Sequence, residues 1–135
     1  SAIALRGTGR LPVAVFGDGD YLMGVSALWT AASTRTPLLI VIANNSGYYI
    51  DEQHQAMTSA TRGRPAETAH VGQRIAEPEI DLLAMARAQG FEGCGPIARR
   101  AALRDAVAAG ARAVEEGKCF LVDVRIRPDY EGYPR

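Results

Sequence analysis

The stretch VAVFGDGDYLMG, residues 13–24, indicates the fold class, because an apolar strand pattern runs directly into a charged turn and then into a helix pattern. Residues 12–16 are short and β-branched, which predicts a strand covered on both faces. Residues 21–33 carry apolar side chains at three- and four-residue spacing, which predicts an amphipathic helix. Between them stand Asp18 and Asp20, whose carboxylates need water, protons or a cation.

The rest of the chain alternates strand and helix patterns in the same way. A parallel sheet sandwiched between helices, an α/β fold, is therefore predicted, because parallel neighbours need crossover connections. Residues 44–79 lose this periodicity and predict a long polar loop suited to a binding lip. The other predicted strands are residues 38–43, 91–94 and 120–126, and the other predicted helices are residues 80–89 and 101–116.

Composition excludes several classes of partner. The 135 residues are 47% hydrophobic and 22% charged, and fifteen basic residues balance fifteen acidic ones. A net charge of zero disfavours nucleic-acid and membrane-surface binding. The longest apolar run, about residues 37–43, is far shorter than the roughly 20 residues of a membrane span, and no leader pattern opens the chain. We therefore predict one domain over residues 1–135 in a cytoplasmic protein.

The opening SAIALRGTGR, residues 1–10, has the small apolar residues of a packed helix that ends near Gly7. No capping residue precedes it, and the pattern begins in its middle. We therefore hypothesise that the chain is the later part of a longer protein and lacks the first elements of its fold.

The two cysteines and three apolar residues of the predicted helix at 21–33 are candidates for the hydrophobic core. Cys94 and Cys119 lie far apart without a CxxC pattern, so core thiols are favoured over a disulfide or a zinc site. Trp29, Met23 and Leu22 fall on the helical stripe and are predicted to be core residues.

A second polar cluster, residues 44–47 (NNSG), follows the strand at 38–43. In parallel α/β sheets ligands bind beyond the carboxyl ends of the strands, where both clusters are expected to lie. Gly17 and Gly19 permit close approach to the backbone, and a helix start favours phosphate. Carboxylates would repel that phosphate unless Mg²⁺ joined them, with Asp18, an asparagine amide oxygen and a loop carbonyl as ligands.

A plainer interpretation of the GDGD turn stays open. Asp-Gly pairs are frequent in turns, and Asp20 is well placed to be only the N-cap of the helix. A calcium loop is disfavoured because position 22 is Leu and no bidentate Glu follows at the twelfth place. The GTG at residues 7–9 is not a dinucleotide fingerprint, since its strand follows it.

The two clusters together resemble a known signature. GDG is followed, 27 positions after Asp18, by the second Asn of NN. This spacing resembles thiamine diphosphate-dependent enzymes of the acetohydroxyacid synthase and benzoylformate or pyruvate decarboxylase superfamily. The similarity continues in PLLIVIANNSGYY (37–49), AMARAQGF (84–91) and FLVDVRI (120–126). It covers the C-terminal, diphosphate-binding domain of those enzymes.

The resemblance implies a ligand set for the cofactor. Mg²⁺ would be bound by Asp18, by Asn45 and by the backbone carbonyl of Gly47. Asp20 is often serine in relatives, so we expect its carboxylate to face backbone N–H groups or water. The residues implied in binding thiamine diphosphate are Gly17, Asp18, Gly19, Asp20, Asn45, Gly47, Tyr48 and Tyr49.

The resemblance also suggests a catalytic acid. Asp51 lies six positions after Asn45, where some decarboxylases of this family place a glutamate facing the cofactor. An acid there would move protons, although an ordinary solvated loop acid fits the sequence as well. His54 and His70 are candidates for the substrate pocket or for solvated positions. Arg62 and Arg64 suit a substrate carboxylate, or a charged loop.

The implied activity is decarboxylation or carboligation of 2-oxo acids, acetolactate synthase-like. In the family the activating glutamate belongs to a separate pyrimidine-binding domain, which is the expected partner, and a homo-oligomer is expected. The alternatives are a non-catalytic cofactor-binding or assembly module, or the small subunit of a split decarboxylase.

Overall fold

A computed structural model describes residues 2–5 and 7–127 of the chain. Its strands are β1 (Val13–Gly17), β2 (Leu39–Asn44), β3 (Glu92–Ile97) and β4 (Phe120–Arg125). Its α-helices are α1 (Asp18–Gly24), α2 (Ala27–Ser33), α3 (Tyr49–Thr61), α4 (Leu82–Arg87) and α5 (Arg100–Glu115). A short 3₁₀ helix covers Ile3–Leu5, where a longer helix ending near Gly7 was predicted.

The strands form one parallel sheet with the order β1-β2-β4-β3. Gly17 at the end of β1 is paired with Ala43 of β2, and Asn44 of β2 is paired with Arg125 of β4. The carboxyl ends of these three strands therefore meet at one edge. The predicted parallel α/β sheet is confirmed.

Helices cover both faces of the sheet. On one face, α1, α2 and α4 bury Tyr21, Leu28 and Leu82 against Ile42 and its neighbours. On the other face, α5 packs against β2 and β4. Gly110 permits this close packing, because a Cβ there would lie 2.5 Å from Leu39 Cδ1. The predicted helical sandwich is confirmed.

Strand β1 differs from its prediction as a strand covered on both faces. It is an edge strand of the described sheet, and Val13 and Val15 are 53% and 67% exposed. Their common face extends beyond the part of the sheet that α5 covers, whereas Ala14 on the opposite face packs against the core.

The helix predicted over residues 21–33 is broken in two. It begins at Asp18, and Gly17 is its N-cap, so the prediction of Asp20 as the cap is wrong. Trp29 and Met23, predicted in the core, are 63% and 71% exposed. The two residues lie on separate short helices, α1 and α2, and both are on their exposed sides.

The predicted loop over residues 44–79 contains α3. This helix has no buried residue, and both Ile50 and Met57 are exposed. A helix without a strong apolar face leaves no periodicity in the sequence, which is why it was missed. The predicted elements at 80–89, 91–94 and 101–116 correspond to α4, β3 and α5 with shifted ends. Asp81 caps α4 by accepting a hydrogen bond from Ala84 N at 2.8 Å.

Both cysteines are free thiols. Cys119 is buried, as predicted, and its Sγ donates to the carbonyl oxygen of Thr36 at 3.2 Å. Cys94 on β3 is half-buried. Burial raises the pKa of both thiols. Neither therefore has the lowered pKa of a reactive cysteine.

Candidate functional site

The carboxyl ends of β1 and β2 bring together two side-chain oxygens. Asp18 follows β1 as the first residue of α1, and Asn45 follows β2. Asp18 Oδ2 accepts a hydrogen bond from Gly47 N at 2.9 Å, and Asn45 Oδ1 accepts from the same N–H at 3.2 Å. The carboxylate and amide oxygens thus converge on one electropositive group.

The Asp18 carboxylate is in an unfavourable electrostatic environment. It is 2% exposed, and among the described residues it forms no ion pair. Its hydrogen bond comes from a neutral N–H. Asp123 lies close enough that the charge of Asp18 contributes to its raised pKa, although burial is the larger cause. A buried carboxylate beside a second one favours a neighbouring cation.

The turn after β2 holds Asn45 in place. Ser46 has a φ of +59°, in the left-handed region that a non-glycine residue seldom adopts. Its N–H donates to Asn44 Oδ1 at 3.1 Å, and its carbonyl oxygen accepts from Ile75 N at 2.8 Å. The turn is therefore fastened at both ends.

Gly47 lies against the backbone of a distant segment. It forms an antiparallel bridge with Arg74, and the next N–H, of Tyr48, donates to Gln73 O at 2.7 Å. A Cβ on Gly47 would lie 2.9 Å from Gln73 O. Close backbone approach thus requires glycine here, whether or not its carbonyl binds a metal.

Tyr48 connects the two polar clusters. A Cβ built on Gly19 would lie 2.4 Å from Tyr48 Cε1, so the tyrosine ring packs directly over this glycine. The first turn of α1 and the segment leading into α3 are therefore in contact. Tyr49 begins α3 next to it.

Asp20 lies in the first turn of α1 and is exposed to solvent. Its carboxylate stays near the preceding turn, since a Cβ on Gly17 would lie 3.5 Å from Asp20 Oδ2. An exposed acid in a first helical turn interacts favourably with the helix dipole, and its carboxylate faces water, as expected.

Asp51 and His54 lie together on α3, outside the Asp18–Asn45 pair. They line a polar cavity of about 420 Å³. His70 lies in the turns after α3 and is exposed. The other lining residues of the cavity are Gln55, Thr58, Ser59, Arg62, Arg64 and Gln73.

A buried polar network behind the turn was missed in the sequence. Asp123, on β4, is 4% exposed and accepts a hydrogen bond from Asn44 Nδ2 at 3.0 Å. Burial raises its pKa, although that hydrogen bond and the charge of Arg125 act in the opposite direction. Arg125 donates to Ser46 Oγ at 2.8 Å and pairs with Glu79. The signal available in the sequence was a single carboxylate inside the apolar run FLVDVRI.

The side-chain oxygens of Asp18 and Asn45, at the carboxyl ends of β1 and β2, are suitable ligands for a hard cation. Mg²⁺ takes carboxylate and carbonyl oxygens together with phosphate oxygens and water. Within residues 2–5 and 7–127, no group of three His, Cys, Asp or Glu side chains is arranged to hold a metal, so an all-protein cage of that type is not present there. In the same residues no helix is long and apolar enough to cross a bilayer.

Comparison with known proteins identifies the family. The family model for the thiamine pyrophosphate enzyme C-terminal TPP-binding domain matches residues 1–124. A search of curated proteins finds no match. Among solved structures, the chain is similar to a thiamine diphosphate-dependent 4-hydroxybenzoylformate decarboxylase from Rhodococcus jostii RHA1, with 25% identity and a TM-score of 0.65. The match covers 96% of this chain but only 22% of that one. The chain belongs to the thiamine pyrophosphate enzyme family, as its C-terminal TPP-binding domain.

Proposed function

We propose that this domain binds the diphosphate of thiamine diphosphate through a Mg²⁺ ion held by Asp18, Asn45 and the backbone carbonyl of Gly47. The observation that carries the proposal is the convergence of Asp18 Oδ2 and Asn45 Oδ1 on the N–H of Gly47. Because these two oxygens already point toward one electropositive group, their side chains need little rearrangement to bind a cation.

The side chains of Asp18 and Asn45 are chemically suited to hold Mg²⁺ beside a diphosphate. Asp18 supplies one negative charge, which a divalent cation would compensate more completely than the present N–H does. Asn45 supplies a neutral oxygen, so the site keeps a net positive charge for the diphosphate. The ion therefore offsets the repulsion between Asp18 and an anionic ligand, while the charge of Asp20, which is exposed, is screened by water.

The remaining binding residues lie around this pair. Gly17 and Gly19 flank Asp18, and Tyr48 and Tyr49 follow Gly47 directly. The ring of Tyr48 against Gly19 supports the two segments acting as one unit. We assign the cofactor's diphosphate to N–H groups in the first turn of α1 and at the start of α3, with Asp20 in a supporting position. The Tyr48 N–H already donates to Gln73 O, so Tyr48 contributes through its ring against Gly19.

The proposed reaction is the decarboxylation of a 2-oxo acid. Support comes from the similar solved structure, which is a 4-hydroxybenzoylformate decarboxylase. Thiamine diphosphate supplies the carbanion stabilisation that such a reaction needs. We assign Asp51 as an acid that moves protons in that reaction, with His54 beside it in the α3 cavity. Carboligation of the acetolactate synthase type is the other outcome compatible with the same residues.

We further propose that activity requires a pyrimidine-binding domain, from the same or another chain, within a homo-oligomer. The exposed apolar side chains of β1, Val13 and Val15, support a partner on that side of the sheet. A cytoplasmic location stays a prediction.

The metal ligands are tested by calorimetric titration of the assembled protein with thiamine diphosphate, with and without Mg²⁺. Asp18→Ala and Asn45→Ala are each expected to abolish Mg²⁺-dependent binding and to leave circular dichroism near that of the wild type. Asp105→Ala, at an exposed acid on α5, is the matched control and should bind normally. Wild-type affinity in both ligand variants would refute the assignment.

Mixing experiments separate the enzyme from its alternatives. If the domain is half of a catalytic unit, adding a pyrimidine-binding partner should restore turnover of a 2-oxo acid such as 4-hydroxybenzoylformate. Tight cofactor binding without turnover after mixing would favour a non-catalytic module. Recovery of activity only with a separately encoded large chain would favour the small subunit of a split decarboxylase.

A further inference from the structure

A buried carboxylate lies directly behind the proposed metal loop. In the β2–β4 pairing Ile42 lies beside Asp123, and Asn44 lies beside Arg125. Asp123 and Asn44 are each 4% exposed, and they form a side-chain hydrogen bond of 3.0 Å. A buried charge of this kind is costly unless it has a specific partner.

The carboxylate of Asp123 fixes which way the Asn44 amide faces. An ionised carboxylate only accepts hydrogen bonds, so Asn44 must present its NH₂ group to Asp123. The amide oxygen then faces the turn, where it accepts the Ser46 N–H at 3.1 Å. If the amide were reversed, two acceptors would face each other and the Ser46 N–H would lose its partner. The charge on Asp123 thus sets the conformation of the residue next to Asn45.

Arg125 holds the same turn from its other side. Its guanidinium donates to Ser46 Oγ at 2.8 Å and pairs with Glu79. Ser46 is in the left-handed region, with a φ of +59°. A non-glycine residue persists there when its surroundings determine its conformation. The Ser46 N–H is held by Asn44 and its hydroxyl by Arg125, in addition to the hydrogen bond from Ile75 N to its carbonyl oxygen. Arg125 is on β4, and Asn44 is bonded to Asp123 of β4.

We propose that Asp123 and Arg125 are positioning residues that set the Asn45–Gly47 turn in the conformation needed to bind Mg²⁺ and the cofactor's diphosphate. This inference rests on the proposed function of the same site. Neither residue is assigned a contact with the metal. They act through Asn44 and Ser46, as outer residues do when they orient metal ligands.

The decisive variant is Asp123→Asn in the assembled protein. It removes a buried charge while keeping the size of the side chain, so the thermal unfolding midpoint should stay level or rise. The amide pair can now adopt either orientation, so the turn is less well fixed. We expect Mg²⁺-dependent thiamine diphosphate binding, measured by calorimetry, to weaken by about tenfold. Exchange of the Gly47 amide hydrogen, followed by NMR without metal, should become about tenfold faster.

The Arg125 contact is tested by a double-mutant cycle with Arg125→Met and Ser46→Ala. Because both changes break the same hydrogen bond, their effects on cofactor affinity should be less than additive. Ser46→Gly relieves the backbone strain and should lose less affinity than Ser46→Ala. Arg104→Met, at an exposed position on α5, is the control and should not change binding.

Several results would overturn the inference. Unchanged affinity and unchanged Gly47 exchange in Asp123→Asn would show that the network does not position the turn. A loss of affinity matched by a loss of thermal stability would reduce Asp123 to a purely structural role. If wild-type protein itself fails to bind Mg²⁺ and thiamine diphosphate, the proposed function fails. The Gly47 exchange rates still report in that case whether Asp123 and Arg125 fix the turn.

Discussion

At the scale of single residues, burial governs the polar groups around the site. Asp18 is 2% exposed and Asp123 is 4% exposed, and the charge of Asp18 contributes to the raised pKa of Asp123, for which burial is the largest cause. Tyr21 is 3% exposed, and its hydroxyl donates to Leu82 O at 3.0 Å. Burial first, and then the charge of Asp123, raise the pKa of Tyr21 to about 12. The raised pKa of Tyr21 makes the stability of the domain sensitive to pH.

The Tyr21 pKa predicts a loss of stability at alkaline pH. The unfolded chain releases this proton near pH 10 and the folded chain near pH 12, so the stabilisation is complete below pH 10 and is lost as pH rises towards 12. Tyr21→Phe removes one buried hydrogen bond and should cost about 1 kcal/mol at neutral pH. Its stability should not show this alkaline loss.

Urea unfolding at two pH values measures the difference. Between about pH 9 and about pH 11, the wild type should lose about 1.3 kcal/mol more than Tyr21→Phe. Parallel losses in the two proteins would mean that Tyr21 ionises equally easily in the folded and unfolded states.

Asp51 carries a separate prediction, about turnover. Asp51→Asn in the assembled enzyme should lower kcat by about 100-fold, since proton transfer by a positioned side chain contributes at least that much. The Mg²⁺-dependent affinity for thiamine diphosphate should not change, because Asp51 lies on α3 and not among the proposed ligands. Glu67→Gln, at an exposed acid beyond α3, is the control. Full turnover in Asp51→Asn would show that Asp51 is an ordinary solvated acid without a part in proton transfer.

The residues of the site were predictable to different degrees. Asp18 and Asn45 each follow a strand, and the two strands are neighbours in a parallel sheet, so their proximity follows from topology. The partnership of Asn44 with Asp123 spans 79 positions. It depends on the register of β2 with β4, which no local pattern in the sequence specifies.

At the scale of elements, the contact between α1 and the segment before α3 depends on glycine at position 19, which has no side chain to clash with the Tyr48 ring. Alanine in place of Gly19 would put its Cβ 2.4 Å from the Tyr48 ring. Gly19→Ala should therefore destabilise the fold by about 1–3 kcal/mol through overpacking. In a Tyr48→Ala background the same change should be neutral or stabilising by up to about 1 kcal/mol, because alanine is the better helix former.

The sign change between backgrounds is measured by urea unfolding of the four proteins in a double-mutant cycle. Gly24→Ala in the same helix is the matched control, since nothing lies within 4 Å of a Cβ there. It should behave like Gly19→Ala in the Tyr48→Ala background. Equal costs for Gly19→Ala in both backgrounds would show that Tyr48 does not restrict this position.

Elements with a buried face were predictable, and exposed ones were not. Strands β2 and β4 and helix α5 bury most of one side, and their apolar patterns locate them to within a few residues. Helix α3 buries none of its residues and therefore has no such pattern. The break between α1 and α2 is also not marked in the sequence, because the apolar spacing continues across it.

At the scale of the whole molecule, the sheet ends in an exposed apolar edge among the described residues. Val13 and Val15, two residues apart on one face of β1, are each more than half exposed. Apolar groups grouped in this way mark contact surfaces. They agree with a domain that spans 22% of its solved relative and is proposed to work against a pyrimidine-binding partner.

Val15→Asp tests that surface. Because Val15 is 67% exposed, the change should hardly affect the folding of the domain itself. In the assembled protein a buried, unpaired carboxylate should raise the dissociation constant of the partner at least about tenfold, as measured by analytical ultracentrifugation. Val71→Asp, at a valine 63% exposed on another segment, should not alter assembly. Undisturbed assembly in Val15→Asp would place the partner on a different face.

The most direct measurement is a crystal structure of the assembled protein with thiamine diphosphate and Mn²⁺ in place of Mg²⁺, because anomalous scattering locates manganese without ambiguity. We predict one ion at about 2.1 Å from both an Asp18 carboxylate oxygen and Asn45 Oδ1, with diphosphate oxygens completing its shell. A bound diphosphate whose metal does not contact both side chains would contradict it.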